Sequence, residues 1–145
     1  MSRARTSILA VLAVALVLAP TLVGCSPAPT SSPVATVPTN RLAATVTVAQ
    51  AAALRDDGAF VLDVREPDEW AAGHIPGATL IPLGELATRI GELPRDLSIV
   101  VVCRSGNRSA QGRDILLSAG FPAVTSLDGG MADWTAAGMP VETGG

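Results

Sequence analysis

The chain has 145 residues, 48% of them hydrophobic and 16% charged, with a formal net charge of −3. That length suits one domain with appendages. An acidic balance without a single lysine excludes the basic excess of a nucleic-acid binder, and two cysteines with one histidine are too few for a zinc site.

In chain order, "MSRARTSILAVLAVALVLAPTLVGC" has a positive start at Arg3 and Arg5, an apolar run from Ile8 to Ala19, and small residues before Cys25. This is the three-part pattern of a secretory signal. The run is shorter than the roughly 20 residues that span a bilayer. Leu22-Val23-Gly24-Cys25 resembles the bacterial lipobox, and a retained anchor helix does not explain that ending. Residues 1–24 are therefore expected to be removed and Cys25 to carry lipid, which anchors the protein at the outer face of the cytoplasmic membrane. Without residues 1–24, eight arginines face 13 acids, a net charge of −5. Residues 25–43 are rich in Pro, Ser and Thr and read as a semi-extended tether.

From residue 44 the texture alternates. Thr45-Val46 can begin a strand, and Thr47 with Gln50 forms a capping-box pattern for a helix that stops at Gly58. Phe60 to Asp63 is a strand ending in an acid. "EPDEWAAG" is a short helix with Pro67 in its first turn and Gly73 after it. Thr79 to Ile81 is a brief strand, "GELATRIGEL" is helical, and Pro94-Arg95-Asp96 is a turn. Ser98 to Val102 is an apolar strand, followed by a helix near Arg108 to Ala119. Val124 to Leu127 and Met131 to Ala137 make the last strand and helix. This order predicts an α/β fold over residues 44–143, a central parallel five-stranded sheet with helices on both faces. Ile99 to Val102 fits a central strand buried on both sides. Ligands of such sheets sit beyond the carboxyl ends of the strands, and Cys103 is at such an end.

Cys103 has no intramolecular partner if Cys25 carries lipid, so it is neither a structural disulfide nor half of a redox pair. An isolated cysteine is ordinarily a small core residue. This one is followed by "RSGNRS" and a helix N-terminus, where free N–H groups and the helix dipole favour an anion. Gly106 and Asn107 tolerate the backbone angles that turn N–H groups inward, and Arg104 and Arg108 add positive charge. These features describe a thiolate nucleophile in an anion-binding cup.

"CRSGNRS" (Cys103 to Ser109), "DVREPDEWAAGHIPGA" (Asp63 to Ala78) and "LDGGMADWTAAGMPV" (Leu127 to Val141) resemble, in order, the active-site loop and the two flanking signatures of the rhodanese sulfurtransferase family. Trp70 stands where Phe or Tyr is usual, and Met131 where an aromatic that shapes the site rim is common. The resemblance implies that Cys103 attacks the outer sulfur of thiosulfate or a similar small anionic donor and becomes a persulfide. An acceptor, cyanide or a thiol, then removes that sulfur. The N–H groups of Arg104, Ser105, Gly106, Asn107 and Arg108 would hold the persulfide, and the two arginines would attract the donor.

Other residues take plainer roles. Asp63 and Arg65 are expected to brace the site through hydrogen bonds, and His74 to fix a loop rather than act as a base. Asp68 and Glu69 suit a first helical turn, Trp70 and Trp134 suit core or near-core packing, and Asp128-Gly129-Gly130 suits a structural turn near the site. No metal or cofactor is implied, and a monomer is expected. Two other functions compete. Phosphatases and arsenate reductases of related fold resemble Cys-x5-Arg, whereas Cys103 to Arg108 is one residue tighter. A non-catalytic module that binds a sulfur compound or a protein at the membrane is the other.

Overall fold

The computed structural model describes residues 42–144. The expected signal peptide, Cys25 and all but the end of the tether lie outside the described residues. The elements are β1 (Thr45–Val46), α1 (Val48–Asp56), β2 (Phe60–Asp63), α2 (Pro67–Ala72), β3 (Thr79–Leu80), α3 (Leu83–Arg89) with a 3₁₀ turn (Ile90–Glu92), β4 (Ile99–Val102), α4 (Asn107–Ser118), β5 (Val124–Leu127) and α5 (Gly130–Ala136). The sheet is wholly parallel, in the order β1-β5-β4-β2-β3. Strand alternation decides which helices cover which face. Ile99, Val101 and Cys103 point into a core shared with Leu86 of α3 and Leu116 of α4. Val100 and Val102 point the other way, toward Ala51 and Ala52 of α1 and Trp134 of α5. All four β4 residues are at most 1% exposed, as a central strand covered on both sides requires.

Local chemistry sets the helix ends. The Thr47–Gln50 capping box forms as the sequence predicts. Pro67 opens α2 at a position where its missing N–H is not needed. The helix after β4 starts at Asn107, one residue earlier than expected, because Gly106 adopts a left-handed φ of +96° and takes the N-cap position. Asn107 is therefore helical, and Gly106 alone supplies the unusual backbone angle. Thr125 Oγ1 donates to the Ala43 carbonyl at 2.8 Å, which ties the first described residues to β5.

The topology also chooses where a ligand can sit. The chain leaves β2 toward β3 at one edge and leaves β4 toward β5 at the other, so the carboxyl ends of neighbouring β2 and β4 flank a switch point. Asp63 and Val102 pair in register there. One opening carries Arg65, the other Cys103.

Candidate active site

Cys103 follows β4 and lies on the α4 face at 1% exposure. The Gly106 N–H donates to its Sγ at 3.1 Å. Ser109 Oγ lies 3.4 Å from the sulfur, 2.8 Å from the Gly106 carbonyl and 2.8 Å from the Ser126 hydroxyl. In the thiol form the S–H donates to Ser109; in the thiolate form the Ser109 O–H can turn from the Gly106 carbonyl to the sulfur. Burial is the largest single influence on Cys103 and pushes its thiol up. The Ser109 hydroxyl and the N–H groups of Ser109, Ser105 and Gly106 together outweigh it, and the thiol lies below its ordinary value.

This corrects the emphasis placed on the arginines. Arg108 is not a free cation: its Nη1 and Nη2 donate to the two carboxylate oxygens of Glu69, each at 2.7 Å. The Arg108 hydrogen bonds, the leading influence, carry Glu69 down to about 2 against the effect of burial. Glu69 looked like an ordinary first-turn acid, yet it holds the loop's second arginine. Arg104 is exposed and makes no ion pair among the described residues.

Asp63 and Arg65 form a buried pair beside the site. Arg65 Nη2 lies 2.7 Å from Asp63 Oδ2, with both side chains almost wholly buried. The same guanidinium donates to the carbonyls of Glu69 (3.1 Å) and Gly73 (2.8 Å), groups that the end of a short helix leaves unpaired. Arg65 thus fixes α2, and α2 carries Glu69 to Arg108. His74 is bound to this scaffold rather than to the nucleophile. Its Nδ1–H donates to the Trp70 carbonyl at 3.1 Å, its ring stacks on Trp70 at 3.6 Å, and its backbone pairs with Glu142. Trp134 is wholly buried core and Trp70 is half-buried at the core's margin, its ring stacked on His74.

The Asp128-Gly129-Gly130 turn is part of the site's frame. Gly130 has φ +57°, and a Cβ there would come within 2.3 Å of the Cys103 carbonyl oxygen and 2.8 Å of the Ser105 nitrogen. That close approach lets α5 begin against the loop: the Met131 N–H donates to the Cys103 carbonyl at 2.8 Å and the Ala132 N–H to that of Arg104 at 3.0 Å. Met131 is 6% exposed and belongs to the core on the α1/α5 face, so its side chain is not a bare rim group. Ser109, Ser126 and Glu69 are the site residues that the sequence reading passed over. Only Ser109 had a local signal, being one residue past the arginine of the loop.

A model described as "Rhodanese-like domain" matches residues 47–137, a span that holds the loop, its bracing pair and the α5 turn. The chain belongs to the rhodanese-like family. It is 42% identical over 89 residues to "Thiosulfate sulfurtransferase GlpE" of Pseudomonas entomophila, covering 61% of this chain and 82% of that one. It is 36% identical over 95 residues to "Sulfurtransferase" of Allochromatium vinosum, covering 66% and 88%. The crystal structure of a rhodanese-related protein from Thermoplasma volcanium superposes with a TM-score of 0.65 at 33% identity, covering 69% of this chain and 98% of that one.

In this rhodanese-like domain Ser109 is the side chain that most favours the thiolate. Ser109→Ala should therefore raise the Cys103 pKa and move the pH profile of its alkylation by iodoacetamide to higher pH. Loss of one hydrogen bond to an anion should slow alkylation at neutral pH roughly tenfold. An unshifted profile would assign the lowered pKa to the amides alone. The wild-type stabilisation of the thiolate is also a stability term. It is fully present above the ordinary thiol value of 9.0 and lost as pH falls through the lowered folded value.

Proposed function

We propose that the protein is a sulfurtransferase that carries sulfane sulfur from thiosulfate or a similar small anion to a thiol or cyanide, as a persulfide on Cys103. The observation that carries this reading is a thiol held below its ordinary pKa in a cup of N–H donors, at 1% exposure. A slim terminal sulfur can reach such a floor. The thiolate attacks the donor's outer sulfur, the S–S bond to the sulfonate breaks, and sulfite leaves with the electron pair. The same N–H groups then face the new persulfide anion. The names of the relatives support this chemistry. Phosphoryl transfer is disfavoured by the pairing of Arg108 with Glu69, which engages two of its N–H groups and offsets the charge a phosphate would need. The test is sulfur transfer from thiosulfate to cyanide, with a phosphate-ester assay beside it. Thiocyanate formation without ester hydrolysis is expected; neither activity would leave a non-catalytic binding module as the better account.

The site would work outside the cytoplasm, held at the membrane by lipid on Cys25. No helix among the described residues is long and apolar enough to cross a membrane. The sequence Leu22-Val23-Gly24-Cys25 motivates the lipid anchor. Cys25→Ser should shift the protein from the membrane to the soluble exported fraction, or trap a longer precursor. Fatty-acid labelling as strong in the mutant as in wild type would overturn the anchor.

A further inference from the structure

The charges around the loop cancel in pairs. Arg65 is spent on Asp63 inside the fold, and Arg108 is held fork-on-fork by Glu69. Glu69 is itself fixed: its Oε2 accepts the Glu66 N–H at 3.2 Å, and its carbonyl accepts from Arg65. Arg108 sits in the first turn of α4 between Gly106 and Ser109, which both contact the Cys103 sulfur; after Glu69, the negative charges of Cys103 and Glu66 also hold it above its ordinary value. The loop's remaining cation is Arg104, set against the charge of the thiolate itself.

We propose that Glu69 sets the charge of the ligand admitted to Cys103: by engaging both Nη groups of Arg108 it leaves Arg104 as the loop's one unpaired cation among the described residues, and so favours donors with a single negative charge over the dianion thiosulfate. The donor class that follows rests on the sulfurtransferase reading above: organic thiosulfonates and persulfides. Their chemistry at the sulfur is the same. The thiolate bonds to the outer sulfur of R–SO₂–S⁻, the S–S bond breaks, and the sulfinate R–SO₂⁻ leaves with the electron pair, giving the Cys103 persulfide anion. From R–S–S⁻ the leaving group is the thiolate R–S⁻. A second negative charge on the donor adds repulsion at the cup, which a free Arg108 would offset.

Two donors separate charge from chemistry, thiosulfate with two charges and methanethiosulfonate with one. In the full-length protein, Glu69→Gln should raise kcat/KM for thiosulfate relative to methanethiosulfonate by roughly tenfold, the effect of one released charge in the first turn of the helix that caps the cup. Arg108→Gln should move the ratio the other way, and the double variant should return it toward wild type. Alkylation of Cys103 gives a readout that needs no sulfur transfer: Glu69→Gln should raise the rate with iodoacetate relative to iodoacetamide. Ratios unchanged within twofold in both assays, in folded single variants, would overturn the proposal. A protein that transfers no sulfur, yet shows the alkylation shift, would overturn the sulfurtransferase reading and leave the charge-setting role of Glu69 standing.

Discussion

Serine in place of Cys103 should abolish sulfur transfer and leave the fold intact. The oxygen is smaller than the sulfur it replaces, and the Gly106 N–H and Ser109 hydroxyl remain to satisfy it. Stability should change by less than ~1.5 kcal/mol. Activity should fall by on the order of 10⁴-fold or more, because a hydroxyl without an adjacent base does not ionise in such a cup. The variant also checks the covalent step. Intact-mass measurement after thiosulfate treatment should show one added sulfur atom on wild type, removed by cyanide and absent from the serine variant. Apart from Cys25 the chain has no second thiol to discharge that persulfide as a disulfide, so the added sulfur should persist until an acceptor is supplied. Turnover without any mass change would refute the covalent route.

The largest loss of stability should come from Arg65→Ala. Asp63, 1% exposed, would keep only the Arg65 backbone N–H as a donor, and the carbonyls of Glu69 and Gly73 would lose theirs. Breaking a buried ion pair by removing one partner costs about 3–5 kcal/mol, a large share of the roughly 5–15 kcal/mol that holds a domain of this size together. Denaturant unfolding measures it directly. Because α2 carries Glu69, the surviving folded fraction should also show the charge preference of a released Arg108. A cost below about 1 kcal/mol would mean that water replaces the guanidinium and that the pair is not a brace.

What could be read in advance followed chain proximity. The four-residue apolar strand β4, the Thr47–Gln50 cap and the Gly106 break are local patterns, and their elements formed within a residue or two of expectation. Asp63 ends β2 and Arg65 follows two residues later, which made a bracing role legible for both, though not that they pair with each other. Glu69 and Arg108 lie 39 residues apart, and nothing in the sequence says which of 13 acids meets which arginine. That contact depends on α2 being pinned by Arg65, a tertiary fact. Ser126 was hidden for a similar reason: a serine in a strand reads as a weak strand former until the helix packed against it supplies another hydroxyl. Core or near-core packing was legible for both tryptophans from hydrophobicity, but not that the Trp70 ring stacks on His74.

The two hydrogen bonds from α5 to the loop have a consequence for how the cup keeps its polarity. In a trans peptide the carbonyl and the following N–H point in opposite directions. Holding the Cys103 and Arg104 carbonyls against Met131 and Ala132 therefore turns the N–H groups of Arg104 and Ser105 away from α5. A flip of the Arg104–Ser105 peptide plane would break its bond to the helix and turn away the Ser105 N–H that favours the sulfur anion, with a carbonyl dipole of the wrong sign in its place. The loop is thus kept from reversing its dipoles when charge builds on the outer sulfur, and little reorganisation is left for the moment of transfer.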